Sequence, residues 1–131
     1  MLEGDMFGKK HDRIETLIGV STQIKGTVEL KGTLRLDGEF EGNVKADWVV
    51  VGEKGHLKGD IHSNGVIIGG LVEGNIHARE YIEIMTKGKV FGDVYTSKLA
   101  ILEGGLFEGR SKMQKREVEG EISVSFKQEI E

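Results

Sequence analysis

The sequence predicts an all-β protein: a right-handed parallel β-helix (solenoid) of about six turns with flexible N- and C-terminal tails. Three observations carry that reading. A glycine recurs every 15 to 18 residues, apolar residues flank it at two positions on either side, and residues 17 to 109 sustain no helical apolar period. The glycines are Gly26, Gly42, Gly59, Gly74, Gly92 and Gly109, at intervals of 16, 17, 15, 18 and 17. Self-similarity at so short a period is the signature of stacked units that bury their apolar faces only against one another.

Each unit repeats one local pattern. A large apolar residue stands two before the glycine (Ile24, Phe40, Leu57, Val72, Val90, Phe107), and another two after it in five units of six (Val28, Val44, Ile61, Ile76, Val94; Ser111 is the exception). A second glycine lies four before in five units, and an aliphatic lies eight before in all six: Ile18, Leu34, Val51, Val66, Ile84 and Ile101. Side chains two apart share one face of a strand. A unit of this length, holding three short runs punctuated by glycine, reads as three strands and three corners. Six turns stacked at roughly 4.8 Å make a rod about 29 Å long. The uneven spacing is assigned to one corner, after Leu30, Ala46, Ser63, Ala78 and Thr96, with the other two corners constant. A left-handed hexapeptide helix would keep 18 residues in every turn, and parallel crossovers are right-handed by default.

Outward positions agree with stacking. The residue before the glycine runs Lys25, Glu41, Lys58, Glu73, and the residue after it runs Asn43, Asp60, Asn75, Asp93. Alternation of this kind turns neighbouring turns into attractive or neutral cross-strand pairs and keeps like carboxylates two turns apart.

Composition narrows the function. The chain has 131 residues, enough for one domain, with 20 glycines and no proline, and an acidic balance of −4 that gives no support to nucleic-acid binding. It contains no cysteine, which suits a reducing compartment, and no apolar run of spanning length or export signal. No phosphate-cradling glycine motif is present, so no nucleotide and no cofactor is predicted.

The series Leu34-Arg35-Leu36-Asp37-Gly38-Glu39-Phe40-Glu41-Gly42, then Val49-Val50-Val51-Gly52 with Gly55-His56-Leu57-Lys58-Gly59-Asp60-Ile61, and finally Leu102-Glu103-Gly104-Gly105-Leu106-Phe107-Glu108-Gly109, resembles the bactofilins. The resemblance covers about residues 14 to 113. It implies a non-enzymatic, cytoplasmic cytoskeletal scaffold that assembles without nucleotide into non-polar filaments. Such filaments would lie on the inner face of the cell membrane, positioning cell-shape or envelope proteins. The chain then divides into a tail at 1–16, a β-helix polymerisation domain at 17–113 and a charged tail at 114–131.

Two groups of residues are the candidate sites. An uncapped solenoid exposes unpaired backbone groups and the ends of its core column. Ile18, Val20, Ile24 and Val28 would form one end, and Leu99, Ile101, Leu106 and Phe107 the other. Phe107 is the preferred contact, because the resemblance puts a polymerisation-sensitive aromatic in this last-turn segment; cover by the tail is the alternative. Met6, Phe7, Lys9 and Lys10 resemble the bactofilin membrane-targeting segment, an apolar anchor followed by lysines, which could also be plain disordered tail. Glu3 and Asp5 oppose membrane binding there, and Met6 is an alternative start.

Other chemistry is weaker. His62 and His77 fall in one column, as zinc ligands of hexapeptide-repeat enzymes do, but the flanking positions are Lys45 and Tyr95, and a catalytic zinc needs three protein ligands. No metal is predicted. A β-helical enzyme such as a hexapeptide-type acyltransferase is the alternative function, and Asp37, Asp60 and Asp93 read as solvated outer charges rather than an acid and base. After Gly109, Ile122, Val124 and Phe126 alternate with serine as a short strand would, whereas the resemblance implies disorder there.

Overall fold

A computed structural model describes residues 14–113. All ten elements are strands: β1 (Ile14–Ile18), β2 (Gln23–Glu29), β3 (Thr33–Leu36), β4 (Glu39–Lys45), β5 (Trp48–Val51), β6 (His56–Ile68), β7 (Leu71–Ile84), β8 (Lys89–Thr96), β9 (Leu99–Ile101) and β10 (Leu106–Met113). Every pairing among them is parallel. The chain coils into a β-solenoid of about six turns with two ladders. The first runs β2, β4, β6, β7, β8, β10; the second runs β1, β3, β5, β6, β7, β9.

The glycine column sets the register of the first ladder. Gly26, Gly42, Gly59, Gly74, Gly92 and Gly109 pair in one unbroken line. All six have φ between 138° and 148°, a region that is essentially glycine's alone. A Cβ at Gly59 would drive into the carbonyl oxygen of Gly42 beneath it, and the same holds up the column. The repeat glycine is therefore needed twice over, for its backbone angle and for the closeness of the turn below. The two runs expected on either side of it are consequently one strand, of seven or eight residues where it stands alone, passing through the glycine.

Inward residues of both ladders stack as continuous columns. Leu57, Val72 and Val90 are fully buried in one, and Ile61, Ile76 and Val94 in the next. On the second ladder Leu36, Val51, Ile68 and Ile84 are in register and at most 1% exposed. Each such side chain contributes about 1.5–3 kcal/mol by leaving water.

The uneven spacing comes from two corners, not one. From each glycine to the in-register aliphatic of the second ladder the chain takes nine or ten residues, as in Gly42 to Val51 and Gly26 to Leu36. From that aliphatic to the next glycine it takes eight or six, as in Val51 to Gly59 and Leu36 to Gly42. The long corners are β-turns: Thr22, Gly55, Gly88 and Gly105 each donate their N–H to the carbonyl three residues back. The short corners, Asp37-Gly38 and Gly69-Gly70, nest on a long one. A Cβ at Gly38 would meet the carbonyls of Gly19 and Thr22, and one at Gly70 those of Gly52 and Gly55. Leu34 and Val66, aligned by sequence with Ile18, are shifted two residues in the real register yet still point inward and are fully buried.

Candidate functional site

The two ends of the solenoid are where the regular pattern of satisfaction stops. β1 pairs only with β3 and β2 only with β4; β9 pairs only with β7 and β10 only with β8. Among the described residues these four strands each keep one open edge, whose free N–H and C=O groups form a template for another strand.

The apolar residues at these edges differ from their counterparts inside. At the C-terminal end Ile101 is 43% and Leu106 38% exposed, while Leu99 and Phe107 are half-buried and packed on the core. At the N-terminal end Val20 is 61% exposed, Ile24 and Val28 are half-buried against the core, and Ile18 is covered, at 4%. Three exposed residues were not among the predicted ones: Ile14, Leu17 and Leu102. Leu17 points outward beside Arg35, and its column continues as Val50, Ile67, Glu83 and Ala100. That mixed composition hides it from any column rule. Leu102 opens a corner, where the sequence pattern assigns no direction. Met6, Phe7, Lys9 and Lys10 lie outside the described residues, as does the segment after Met113.

The outer surface carries the predicted charge columns. Lys25 Nζ lies 3.9 Å from Glu41 Oε1, Asn75 donates to Asp60 across 3.3 Å, and Arg110 Nε lies 3.9 Å from Asp93 Oδ1. Exposed pairs of this kind contribute about 0–1 kcal/mol each, so they fix register more than stability.

The histidine column is a ring stack. His62, His77 and Tyr95 lie parallel, with centroids 4.5 Å apart at both steps and interplanar angles of 4° and 1°. Burial, then His62, hold the His77 pKa below the usual histidine range, and Asp60 opposes them. The stack borders an open groove of about 420 Å³ that also touches Lys45, Asp47, Asn64 and Arg79. Ser63, beside it, is buried and donates to the Gly65 carbonyl, so its hydroxyl is held as structure. His56 sits elsewhere, 3.8 Å from Glu73. Among the described residues no group of three His, Cys, Asp or Glu is placed to hold a metal ion.

The bactofilin family model, described as polymer-forming cytoskeletal, matches residues 16–112. This chain belongs to the bactofilins. Two curated relatives come from Myxococcus xanthus. Bactofilin BacO is 31% identical over 103 residues, which is 78% of this chain and 82% of BacO. Bactofilin BacP is 30% identical over 99 residues, which is 75% of this chain and 41% of BacP, so the chain spans less than half of that longer relative. No solved structure matches the chain. The bactofilin solenoid thus coincides with the repeat region, and no helix among its described residues is long and apolar enough to cross a membrane.

Proposed function

We propose that this bactofilin is a non-enzymatic scaffold whose β-helices join end to end, without nucleotide, into filaments that lack polarity. The observation that carries the reading is the pair of open ends: unpaired strand edges flanked by exposed Val20 and Leu17 at one and by Ile101 and Leu106 at the other. Because the ends are chemically different, joining like end to like end about two-fold axes gives an open, non-polar polymer. Both contacts bury apolar area at the points where the fold lacks a neighbour.

Phe107→Arg tests this. The variant is expected to keep its β-sheet circular dichroism and to run as a monomer or dimer, since the other end can still pair. Long filaments in negative-stain micrographs of the variant would exclude the interface, and loss of the β signal would assign Phe107 to the core.

Membrane association belongs to the same proposal and rests on the sequence alone. Met6 and Phe7 at a lipid interface, with Lys9 and Lys10 attracted to anionic headgroups, bind weakly one at a time and strongly when a filament presents many copies. Filaments lacking residues 1–10 should remain long but no longer co-sediment with anionic vesicles; undiminished co-sedimentation would exclude this anchor. Placed on the inner face of the cell membrane, such a filament would organise envelope or cell-wall proteins.

A further inference from the structure

One outward column of the second ladder departs from the polar rule of the solenoid's sides. On the first ladder the outward residues are charged or polar, Lys25, Glu41, Lys58 and Glu73 before the glycine and Asn43, Asp60, Asn75 and Asp93 after it. On the second, the column from turn one to turn six runs Leu17, Arg35, Val50, Ile67, Glu83, Ala100. The core under its centre is already filled by Val49, Val51, Val66 and Ile68, each at most 1% exposed, while Val50 and Ile67 lie on the outside, partly exposed. Scattered apolar residues on a surface need no explanation, but the order of this column does.

That order is complementary to its own reverse. A second copy laid on this face about a two-fold axis parallel to the strands, passing between turns three and four, keeps the column and reverses the turns. Val50 then faces Ile67 of the second copy, Arg35 faces Glu83 and Leu17 faces Ala100, and every contact occurs twice, as a self-complementary interface requires. Within one chain Arg35 and Glu83 stand three turns apart, roughly 14 Å, beyond the Debye length of about 8 Å at physiological salt, so they do not pair with each other. Arg35 Nε donates to Asp37 Oδ1 across 3.1 Å, which steadies the guanidinium while 39% of the side chain stays exposed. Glu83 is partly exposed three turns away.

We propose that this face is a lateral contact between two copies of the chain, packed face to face with their solenoids antiparallel. The ends make the filament; this face joins one filament to another. Strands of about four residues over six turns give a patch of roughly 400 Å² per subunit, half of the about 800 Å² per partner of a stable standard interface. A single pair is therefore weak, and repetition along a filament makes it strong. That repetition rests on the end-to-end reading above; the pairing of faces does not. Subunits of a filament without polarity point both ways, so a neighbouring filament always offers the antiparallel partner.

Charge reversal tests the contact, because the general and the specific expectation have opposite signs. Glu83→Arg reduces the net charge of −4, which on general grounds favours association, yet in this interface it sets arginine against Arg35. Wild-type filaments at physiological salt are expected to run as bundles that pellet at low speed. Filaments of Glu83→Arg and of Arg35→Glu should be long but single, with at least about tenfold more protein needed to bundle them. The double variant, Arg35→Glu with Glu83→Arg, restores both pairs between chains and should bundle as wild type does. If a reversal costs the β-sheet circular dichroism, Arg35→Gln and Glu83→Gln carry the same test, each with a smaller rise in the bundling threshold. Wild-type filaments that stay single, single reversals that bundle like wild type, or a double variant that stays single would overturn the contact. A wild-type chain that forms no filaments would instead remove the end-to-end reading, and sedimentation equilibrium of the same four chains would decide the pairing of faces by the same loss and rescue.

Discussion

The inner turns and the terminal turns use the same residue types in the same columns, and the same residues mean different things in each. Phe40, Leu57, Val72 and Val90 are at most 2% exposed, while Ile24 and Phe107, one position outside them in the same column, are half-buried. Leu36, Val51, Ile68 and Ile84 are at most 1% exposed and Ile101 is 43%. In a quasi-one-dimensional fold every unit is completed by its neighbours, so a side chain that is fully covered core in the middle is left partly exposed at the end. Nothing in the residue itself distinguishes the two; position in the stack does.

The glycine column offers the largest test of that contrast. Gly59→Ala places a Cβ against the Gly42 carbonyl and forces alanine to a φ of 140°. With about 1–3 kcal/mol for the backbone angle and a similar amount for the overlap, a loss of about 2–6 kcal/mol is expected. Gly26→Ala meets the same φ, but among the described residues no turn lies beneath it and no atom lies within 4 Å of the added Cβ. Its loss should be the backbone share alone, about 1–3 kcal/mol and roughly half that of Gly59→Ala. Denaturant unfolding followed by circular dichroism, both variants at one protein concentration, checks the pair. Equal losses would mean that the first turn is as crowded as the inner ones, and the comparison would fail.

A smaller effect comes from the ring stack on the inner turns. Burial and His62 lower the His77 pKa in the folded chain, and Asp60 only partly offsets them. With the folded value below the unfolded one, the unfolded chain binds the extra proton first. Stability is then full above the ordinary histidine pKa and declines as pH falls through the folded value. His77→Gln should flatten that decline between neutral and mildly acid pH. A decline as steep as wild type would place the pH dependence elsewhere.

Much of the solenoid was legible because its physics is periodic. The positive-φ glycine, the flanking apolar pair and the alternating outer charges each leave a mark at every turn, and the columns they predict pair residue for residue, down to His62 against His77. The corners were less legible. Sequence alignment on the glycines assigned every change in length to one corner, whereas Leu36 and Ile68, not Leu34 and Val66, occupy the register position of Val51. An inward residue two places early is just as apolar and just as buried, so composition cannot report the slip. The ends were read only in outline for the same reason: Leu17 faces outward in a column shared with Arg35 and Glu83, and Leu102 belongs to a turn. Exposure at a terminus depends on what is missing beside a residue, which no local pattern encodes.

The central claim is that the ends, and not the sides, of this solenoid make the polymer. A cryo-electron-microscopy reconstruction of filaments of the full chain, grown without nucleotide, tests it most directly. The account predicts a single β-helical column running through the joints, with Leu106 and Phe107 of one subunit facing the same residues of the next, and the Leu17 and Val20 ends meeting likewise at alternate joints. Subunits packed side by side with their terminal turns open to solvent, or stacked head to tail in one direction, would contradict it.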